Sequence, residues 1–421
     1  MPVQRIQVEN FKSFSRLDIG LSRFHVVIGS NAAGKSNFIS IFTFLRDIAK
    51  NGIVNAIAMQ GGLEYLQNTK IGPSRDLRIK VEYLPDQKVE VGELQCKDTS
   101  PLSLQPHLSS YEFAIRFDPR GDGFVITRDR LIIGFEVMSG ECEDTLIGEK
   151  QKIGRGQITV TSDGGELTYS VDLPEGCPIS EQEIIPSYLR KKHLPEKTLL
   201  LETPYAYPLP YIEKFFDRIA IYDIDPKLLK KGVAITGKRE LEEDAGNLVL
   251  VLKNIIGDPE KKRKFSNLLR DVLPFVEDLS VEKFMNISLI LTLRERYARN
   301  HVLPATSLSD GTMTILALII ALYFEDKPFI IIEEPVSHIH PFLVARVITM
   351  MKEASKSRQV MVTTHSTEVV KHVLIDDLLL ISRDTEGFSV VSRPADKREV
   401  RTFLENEIGI EELYVQNLLG L

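Results

Sequence analysis

The sequence predicts an α/β fold with a doubly wound, mostly parallel sheet, joined by a β-rich antiparallel lobe and a helical insertion. Three short apolar runs predict buried strands, at Phe24–Ile28, 327–332 and 359–364. Helical patterns alternate with these runs, as in parallel sheets whose two faces are covered by helices. The lobe is predicted because residues 77–171 contain several short strand-like runs with turn signals between them.

The N-terminal part of the chain is predicted to consist mainly of strands. A helix is expected over 35–49, where six apolar residues can pack on a sheet. The Asp-, Gly- and Pro-containing segment 118–123 predicts the turn of a β-hairpin. Strands are expected at 3–8, 17–21, 77–83, 111–117, 124–128, 131–137, 157–161 and 166–171.

The pattern becomes helical, with loops, between about residue 177 and residue 286. Further along, an apolar helix is expected at 312–324, a second helix at 341–356, and a strand pair at 378–382 and 388–392. The helices expected in the insertion are 181–194, 210–216, 240–256 and 259–276. We therefore divide the chain into an N-terminal half (1–176), a helical insertion or lid (177–286), a C-terminal half (287–397) and a helical tail (398–421).

Composition limits the class of protein. The 421 residues are 43% hydrophobic and 26% charged, which is typical of a globular protein. The net charge of −7 argues against a nucleic-acid footprint over the whole surface, although a local basic groove stays open. The longest apolar helical stretch is too short to span a bilayer, and the N-terminus lacks the apolar core of a signal peptide. Cys96, Cys142 and Cys177 are widely spaced, so we expect reduced thiols in a cytoplasmic protein.

The first apolar strand is followed at once by the spacing Gly-x-x-x-x-Gly-Lys-Ser, at residues 29–36. Strand, glycine-bearing loop and helix together predict a phosphate-binding loop, whereas the pattern alone is also compatible with a chance match in a turn. Gly29 and Gly34 let backbone N–H groups approach phosphate oxygens, and the helix start adds a positive dipole end. Lys35 is predicted to reach the β- and γ-phosphates, and the Ser36 hydroxyl to ligate Mg²⁺. The other predicted nucleotide-binding positions of this segment are Asn31, Ala32, Ala33 and Asn37.

Polar side chains also follow the two later apolar strands. Glu333 and Glu334 come after 328–332, and His365 comes after 359–364. Because parallel strands bring their carboxyl ends to one edge of a sheet, these groups are expected to lie near the phosphate-binding loop. Glu333 is predicted to bind the metal, Glu334 to position or deprotonate the attacking water, and His365 to hydrogen-bond the γ-phosphate or that water. Taken singly, each could be an ordinary polar strand end.

Residues 308–312, Leu-Ser-Asp-Gly-Thr, open the apolar helix and form a second anion-binding element. Ser309 and Gly311 carry this prediction, and a simple Ser or Asp helix cap is compatible with it. Other features stay open. Lys12 and Ser13 are either near the nucleotide or in an ordinary polar turn, and Gln60 or Gln67 is a candidate for a glutamine that senses Mg²⁺. The basic runs at 190–192, 230–231 and 261–264 are either solvated faces or partner-binding surfaces.

With these motifs assembled, the chain resembles ABC-type ATPases of the SMC/RecF/OLD branch, often labelled AAA-family ATPases. The motifs that carry the resemblance are Phe-Lys-Ser-Phe at 11–14, the Walker A loop at 29–36, the signature at 308–312, the Walker B strand end at 329–334 and the switch His365. The resemblance implies a P-loop NTPase fold of ABC type that binds ATP and Mg²⁺. It also implies that ATP joins two heads into a homodimer or larger homo-oligomer. Ser309 and Gly311 would then contact the γ-phosphate in trans, while Lys12 and Ser13 would approach the bound phosphates.

The departures from this family pattern shape the functional hypotheses. Val336 stands where relatives usually carry an acidic residue after Glu-Glu-Pro, which leaves the roles of Ser337 and His338 open. The long coiled coil of SMC proteins and the Toprim nuclease of OLD proteins are missing from this sequence. We therefore expect an ATPase switch that controls a separately encoded nuclease or toxin in an antiphage or prophage system. A RecF-like ATPase acting on DNA is the alternative, and a transporter ATPase is the weakest hypothesis.

Overall fold

The computed structural model describes residues 2–85, 91–94, 102–118, 123–139, 151–185, 187, 189, 192–203, 212–285, 287–298, 301–405 and 408–420. The chain forms two compact units, each assembled from three separate segments. The first unit contains residues 1–22, 36–219 and 383–391, and the second contains 23–35, 220–382 and 392–421. The four-part division made from the sequence stays a prediction.

The first unit is built on an eight-stranded antiparallel sheet. Its strands are β1 (Val3–Phe11), β2 (Phe14–Gly20), β4 (Leu77–Tyr83), β5 (Val91–Leu94), β6 (Leu102–Phe117), β7 (Phe124–Ser139), β8 (Gln151–Asp163) and β9 (Glu166–Asp172). The order is β2-β1-β4-β6-β7-β8-β9, with β5 paired to β6. The helices are α1 (Lys35–Asn51), whose first residue belongs to the second unit, α2 (Ile53–Met59), α3 (Leu63–Leu66), α4 (Glu181–Ile184) and α5 (Ile212–Asp217). The predicted β-rich antiparallel lobe is therefore present.

An aromatic cluster joins α1 to this sheet. Phe44 of α1 lies 6.0 Å from the Phe11 ring and 6.4 Å from the Phe113 ring, measured between centroids. Phe38 packs in the same way against Phe14, at 6.4 Å. These side chains are fully buried. The apolar residues that predicted this helix thus form its contact with the sheet.

The second unit contains a mostly parallel sheet and a smaller antiparallel one. Its strands are β3 (Phe24–Ile28), β10 (Ala220–Asp223), β11 (Val233–Ala234), β12 (Val276–Phe284), β13 (Ser288–Glu295), β14 (Val302–Pro304), β15 (Phe329–Glu333), β16 (Gln359–Thr364) and β17 (Leu378–Arg383). β18 (Ser389–Ser392) is the strand in which the chain passes from one unit to the other. The larger sheet has the order β10-β15-β16-β3-β17-β18, and the first five strands are parallel. The helices are α6 (Pro226–Leu229), α7 (Leu248–Ile256), α8 (Pro259–Val272), α9 (Asp310–Tyr323), α10 (Pro341–Ala354), α11 (Thr367–Lys371), α12 (Arg398–Glu405) and α13 (Ile410–Val415).

The apolar runs of the sequence are the central strands of the parallel sheet. Every residue of β3 and β16 is buried, as are the first four residues of β15. The register aligns Glu333 with Thr363 of β16 and with Asp223 of β10, and it aligns Thr364 with Ile28 of β3. The carboxyl ends of four neighbouring strands therefore meet at one edge, as the sequence predicted.

The segment predicted to be a helical insertion contains more strand than expected. β10 joins the parallel sheet at its edge, and β12 follows α8 where the sequence predicted a longer helix. Residues 240–247 form a loop and not the start of a helix. The Asn247 amide donates to the carbonyls of Lys238 and Glu240, and its oxygen accepts from Glu242 N–H. These hydrogen bonds favour the loop over a helix because they occupy its backbone groups locally.

Some predictions fall on residues outside the described part of the chain. These are Cys96, Cys142, residues 119–122 of the predicted turn at 118–123, and two residues of the first basic run, Arg190 and Lys191. Cys177 is a partly buried free thiol. In the part of the chain that is described, no helix combines the length and the hydropathy needed to cross a membrane.

Candidate nucleotide-binding site

The loop after β3 is closed by hydrogen bonds from its own lysine. The Lys35 ammonium donates to the carbonyls of Gly29, at 2.7 Å, and Ser30, at 3.2 Å. A Cβ at Gly29 would lie 2.4 Å from the Ile381 carbonyl oxygen of β17, so only glycine fits there. Burial lowers the pKa of Lys35, and attraction to Glu334 opposes that shift. A phosphate group would replace the two carbonyls as the partner of a partly desolvated cation.

Glu334 is held at the end of β15 by the end of β16. The Thr364 hydroxyl donates to one carboxylate oxygen at 3.0 Å, and His365 Nδ1 lies 2.7 Å from the other. Glu334 itself has φ +42°, a left-handed backbone conformation that is uncommon for a residue other than glycine. Its N–H donates to the Thr363 carbonyl, which fixes this turn. The carboxylate is therefore oriented by two side chains, as a positioned general base requires.

Glu333 lies beside a carboxylate that the sequence analysis missed. Asp223, at the end of β10, is its aligned neighbour in the parallel register, so the two side chains lie on the same face of the sheet. Burial raises the pKa of Glu333, and repulsion from Asp223 and Glu334 adds to the shift. The signal for Asp223 was the apolar run at 219–222 before it, which the helical interpretation of this segment concealed.

The signature segment 308–312 opens α9 with a side-chain cap. The Ser309 hydroxyl accepts a hydrogen bond from Thr312 N–H at 3.1 Å and lies 2.8 Å from the Thr312 hydroxyl. Gly311 lies against backbone, because a Cβ there would be 2.5 Å from the His338 carbonyl oxygen. The predicted cap is therefore present. The predicted contacts of Ser309 and Gly311 with a γ-phosphate in trans stay a prediction.

In the first unit, the turn 10–13 is held in a strained conformation. Asn10 and Lys12 have φ of +53° and +45°. The Lys12 N–H donates to the Leu66 carbonyl, and the Lys12 carbonyl accepts from the Asn68 amide at 2.7 Å. The Ser13 hydroxyl accepts from the Asn37 amide at 2.8 Å. Such strain persists only where surrounding contacts determine the backbone, and it is concentrated at functional sites.

This turn lines a pocket of about 610 Å³ in the first unit. Three cationic side chains line it, Lys12, Lys70 and Arg383, and none of its described lining residues is acidic. Burial lowers the pKa of Lys12. The Lys70 ammonium lies 5.2 Å from the centroid of the Phe388 ring, and the Tyr65 ring also lines the pocket. Cations combined with aromatic faces suit an anion that carries a planar group.

The remaining residues predicted to bind the nucleotide lie in different places. Asn37 lines the pocket with Lys12 and Ser13, whereas Asn31 is exposed. Both Gln60 and Gln67 line the pocket, and Gln67 Oε1 is buried with no hydrogen-bond partner among the described atoms. Ala32 has φ +60° and Gly34 has φ +118°, so the loop turns at both. Ala33 N–H donates to the Ser30 carbonyl within it, and the Ser36 carbonyl accepts from the Ser40 hydroxyl in α1.

Two family models match parts of the chain. A family model described as an AAA ATPase domain matches residues 1–160, and one described as "AAA domain, putative AbiEii toxin, Type IV TA system" matches residues 190–371. No curated protein matches the chain.

Solved structures similar to the chain include Smc heads. A crystal structure of an Smc head bound to the C-winged helix domain of ScpA is 16% identical, with a TM-score of 0.50, and covers 93% of this chain and 98% of that chain. The Pyrococcus furiosus Smc head with an extended coiled coil, bound to the C-terminal domain of ScpA, is 14% identical, with a TM-score of 0.45, and covers 96% and 99%. The first likeness shows the fold.

The fold and the strand-end groups define a P-loop NTPase whose architecture is that of an SMC head. Each of the two matched models covers less than half of the sequence, and both are described as AAA domains, so the chain is similar to AAA-family ATPases in both parts.

Proposed function

We propose that the chain is a Mg²⁺-dependent ATPase whose ATP-bound state is a head-to-head dimer, and that it acts as a switch controlling a separate effector. One observation carries the hydrolytic part of this proposal. A carboxylate with a strained backbone, Glu334, is oriented by His365 and Thr364 at the sheet edge where the phosphate-binding lysine also lies. A general base and a phosphate-binding cation at one edge are the groups that ATP hydrolysis requires.

Each group has a separate task in this proposal. Lys35 exchanges its two carbonyl acceptors for β- and γ-phosphate oxygens. Glu334 accepts the proton of the attacking water. If His365 donates from Nδ1 to Glu334, its Nε2 remains free to face the γ-phosphate or the water.

The residues present fit a magnesium ion. Glu333 offers oxygen ligands, and the raised pKa caused by burial and by two neighbouring carboxylates is the condition that a bound cation relieves. Among the described residues there is no cluster of three or more His, Cys, Asp or Glu that could hold a metal alone. This suits Mg²⁺, which is usually held by one or two carboxylates, a phosphate and water. When bound, the ion would neutralise charge on the phosphates, with Glu333 and the Ser36 hydroxyl as its protein ligands.

The dimer is supported by the signature segment. α9 begins at Asp310, and the Ser309 side chain accepts from one of its first N–H groups; Ser309 is exposed, and Asp310 and Gly311 are partly exposed. The start of a fourteen-residue helix is a site for anions. Because each chain has its own phosphate-binding loop, this second element is useful when it covers the nucleotide of another chain. Lys12 and Ser13 would approach the phosphates from the same chain.

The role as a switch for a separate effector is supported by one of the matched family models. The description of one matched model names a putative AbiEii toxin of a type IV toxin–antitoxin system. A cytoplasmic location and a nuclease or toxin partner belong to this proposal.

The solution mass of Glu334→Gln tests the proposal directly. We expect this variant to bind Mg·ATP, to hydrolyse it at least ~100-fold more slowly than the parent chain, and to double in mass by light scattering. Lys35→Ala is the control and should stay at one mass with or without ATP. Normal turnover by Glu334→Gln would refute the assignment of the base, and an unchanged mass would refute the ATP-dependent dimer.

A DNA-binding ATPase is the second candidate. It is favoured by the exposed basic residues at the start of α8, Lys261, Lys262, Arg263 and Lys264. Affinity for duplex and single-stranded DNA should then fall steeply as salt rises. No binding at roughly 50 mM salt would remove this candidate.

A further inference from the structure

We propose that Lys230 and Gly311 position the signature segment 308–312 against the turn that follows Glu334 in the same chain, so that a second copy meets the segment in one orientation. This inference deepens the proposed function and rests on its ATP-dependent dimer. It assigns a role to a lysine that the sequence analysis left as part of a short basic run.

An ion pair ties α6 to the first residue of α9. Lys230 Nζ lies 2.5 Å from Asp310 Oδ1, and the Lys230 side chain is only 24% exposed. α6 is itself fixed, because Asp225 caps its first turn and Leu229 is fully buried in the core. The hydrogen bond from Lys230 is the main reason why the pKa of Asp310 lies below its usual range. The start of α9 is therefore held from the side of α6.

Gly311 holds the segment from another side, by backbone contact. Its Cβ position lies 2.5 Å from the His338 carbonyl oxygen and 3.5 Å from Ile339 Cα, so α9 rests directly on residues 338–339. These residues end a tight turn that begins at Glu334. Ser337 donates to the Glu334 carbonyl from both its N–H and its hydroxyl, at 3.2 and 3.0 Å.

The two contacts connect the base to the signature within one chain. The turn that begins at Glu334 reaches His338, whose backbone contacts Gly311. Asp310, next to Gly311, forms the ion pair with Lys230. Because the turn is hydrogen-bonded and the glycine contact leaves no space, a shift at either end is passed to the other. α6 follows β10, the edge strand that carries Asp223. A partner that displaced α6 would thus change how the signature is presented without touching the phosphate-binding loop.

Charge reversal of Lys230 separates positioning from nucleotide binding. In a Glu334→Gln background, Lys230→Glu should weaken ATP-dependent self-association by roughly tenfold, because an ion pair becomes a repulsion at the contact surface. The ATP affinity of the single chain should stay within about twofold, since Lys230 contacts no residue of the phosphate-binding loop in the described structure. Lys231→Glu, at the exposed next position, is the matched control and should leave both quantities unchanged.

Two further variants test whether the pair itself is responsible. The charge swap Lys230→Glu with Asp310→Lys should recover association to within about threefold of the parent. Gly311→Ala should lose association, because its Cβ would displace residues 338–339. Thermal unfolding midpoints of all variants identify any that simply fold poorly.

Amide hydrogen exchange gives a readout that does not depend on the dimer. Lys230→Glu should speed exchange over 308–314 and leave exchange at 29–36 unchanged, and Lys231→Glu should change neither. If the parent dimerises with ATP and Lys230→Glu dimerises equally well, the positioning role is refuted while the proposed function stands. If the parent never dimerises, the proposed dimer fails, and unchanged exchange over 308–314 in Lys230→Glu would then overturn the positioning role as well.

Discussion

The strand-end site of the second unit and the pocket of the first unit are built in different ways. In the second unit, one parallel sheet positions the groups of the site. They lie at or after the ends of its buried strands: Lys35, Glu333, Glu334 and His365. In the first unit, the pocket is lined by four stretches of the chain, near residues 12, 37, 65 and 385, and most of the lining residues lie in turns and short connections. The first arrangement depends on sheet register, and the second depends on how loops are hydrogen-bonded to one another.

This difference decides what each region tolerates. A strand end is fixed by its neighbours in the sheet, so a substitution there changes chemistry more than position. The turn 10–13 is held by a few side-chain amides, those of Asn10, Asn37 and Asn68, and losing one would move several lining residues together. The following predictions test how far the two regions differ in importance for nucleotide binding.

Removal of the cation that we propose to bind phosphate should have the largest effect. Lys35→Ala should weaken ATP binding by about 100- to 1000-fold, because charge-assisted hydrogen bonds to phosphate are among the strongest in proteins. Isothermal titration calorimetry measures this change. Lys50→Ala, at the other end of α1, is the control and should bind ATP normally.

The stability of the first unit should depend on pH through a buried carboxyl group, that of Asp129. It accepts hydrogen bonds from the Tyr111 hydroxyl, at 2.9 Å, and Leu200 N–H, at 2.8 Å, and burial raises its pKa to about 7. The folded chain therefore holds this proton more tightly than the unfolded chain, in which the pKa is about 4. The stabilisation is complete below about pH 4 and is lost as the pH rises to about 7.

Asp129→Asn should remove that loss. Relative to the parent, its free energy of unfolding should increase by about 2–4 kcal/mol between pH 4 and pH 8, as measured by urea titration. Asp76→Asn is a control of opposite sign. Arg116 lowers the pKa of Asp76, so the Asp76 contribution is present above about pH 4 and is lost below it. Parallel curves for Asp129→Asn and the parent would show that Asp129 does not hold its proton in the folded state.

Loss of the switch histidine should affect turnover more than binding. His365→Ala should slow ATP hydrolysis by ~10- to 100-fold, because Glu334 keeps its position but loses the closer of its two side-chain partners. ATP affinity should change by less than about threefold. His372→Ala, at the end of α11, should have normal kinetics. A large rise in the dissociation constant for ATP, with kcat unchanged, would contradict the orienting role of His365.

The smallest effect is expected in the pocket of the first unit. Lys12→Met should weaken ATP binding by about tenfold. It removes one of the three cations that line the pocket, a partly desolvated one, and keeps a side chain of similar length. Lys80→Met, in the same sheet and paired with Glu82, should bind as the parent does. Equal affinities for the parent and Lys12→Met would show that nucleotide recognition belongs to the strand-end site alone.

The strand-end site could be predicted because its residues follow a local pattern. Apolar runs mark β3, β15 and β16, and the polar groups lie at the end of β15, directly after β15 and β16, and just after the short loop that follows β3. The antiparallel lobe was also predictable from alternation and turn residues, although β6 and β7 extend well beyond the predicted spans. In both cases the signal lies within a few neighbouring residues.

The remainder depends on contacts between distant residues. Asp223 could not be recognised while its strand was taken for part of a helical segment, and Lys230 looked like any other surface lysine until its pairing with Asp310 was seen. Tyr65 of the short helix α3 comes together with Lys70 and Phe388, which lie in loops, and no sequence periodicity connects the three. The early ends of α4 and α8 have a local cause instead, because a proline, Pro186 or Pro274, comes directly after the C-cap residue of each helix in the sequence.

The arrangement of β3 in the parallel sheet has a consequence for how the protein is made. This strand leaves the ribosome before its two neighbours, β16 and β17, which are more than three hundred residues further along the chain. At ordinary elongation rates of about 5–20 residues per second, a strand with four apolar residues of five waits roughly 15–70 s for the partners that bury it. Chaperone demand during synthesis should therefore be set by Phe24–Ile28, and a nascent chain released early would aggregate through the same strand that later positions the phosphate-binding loop.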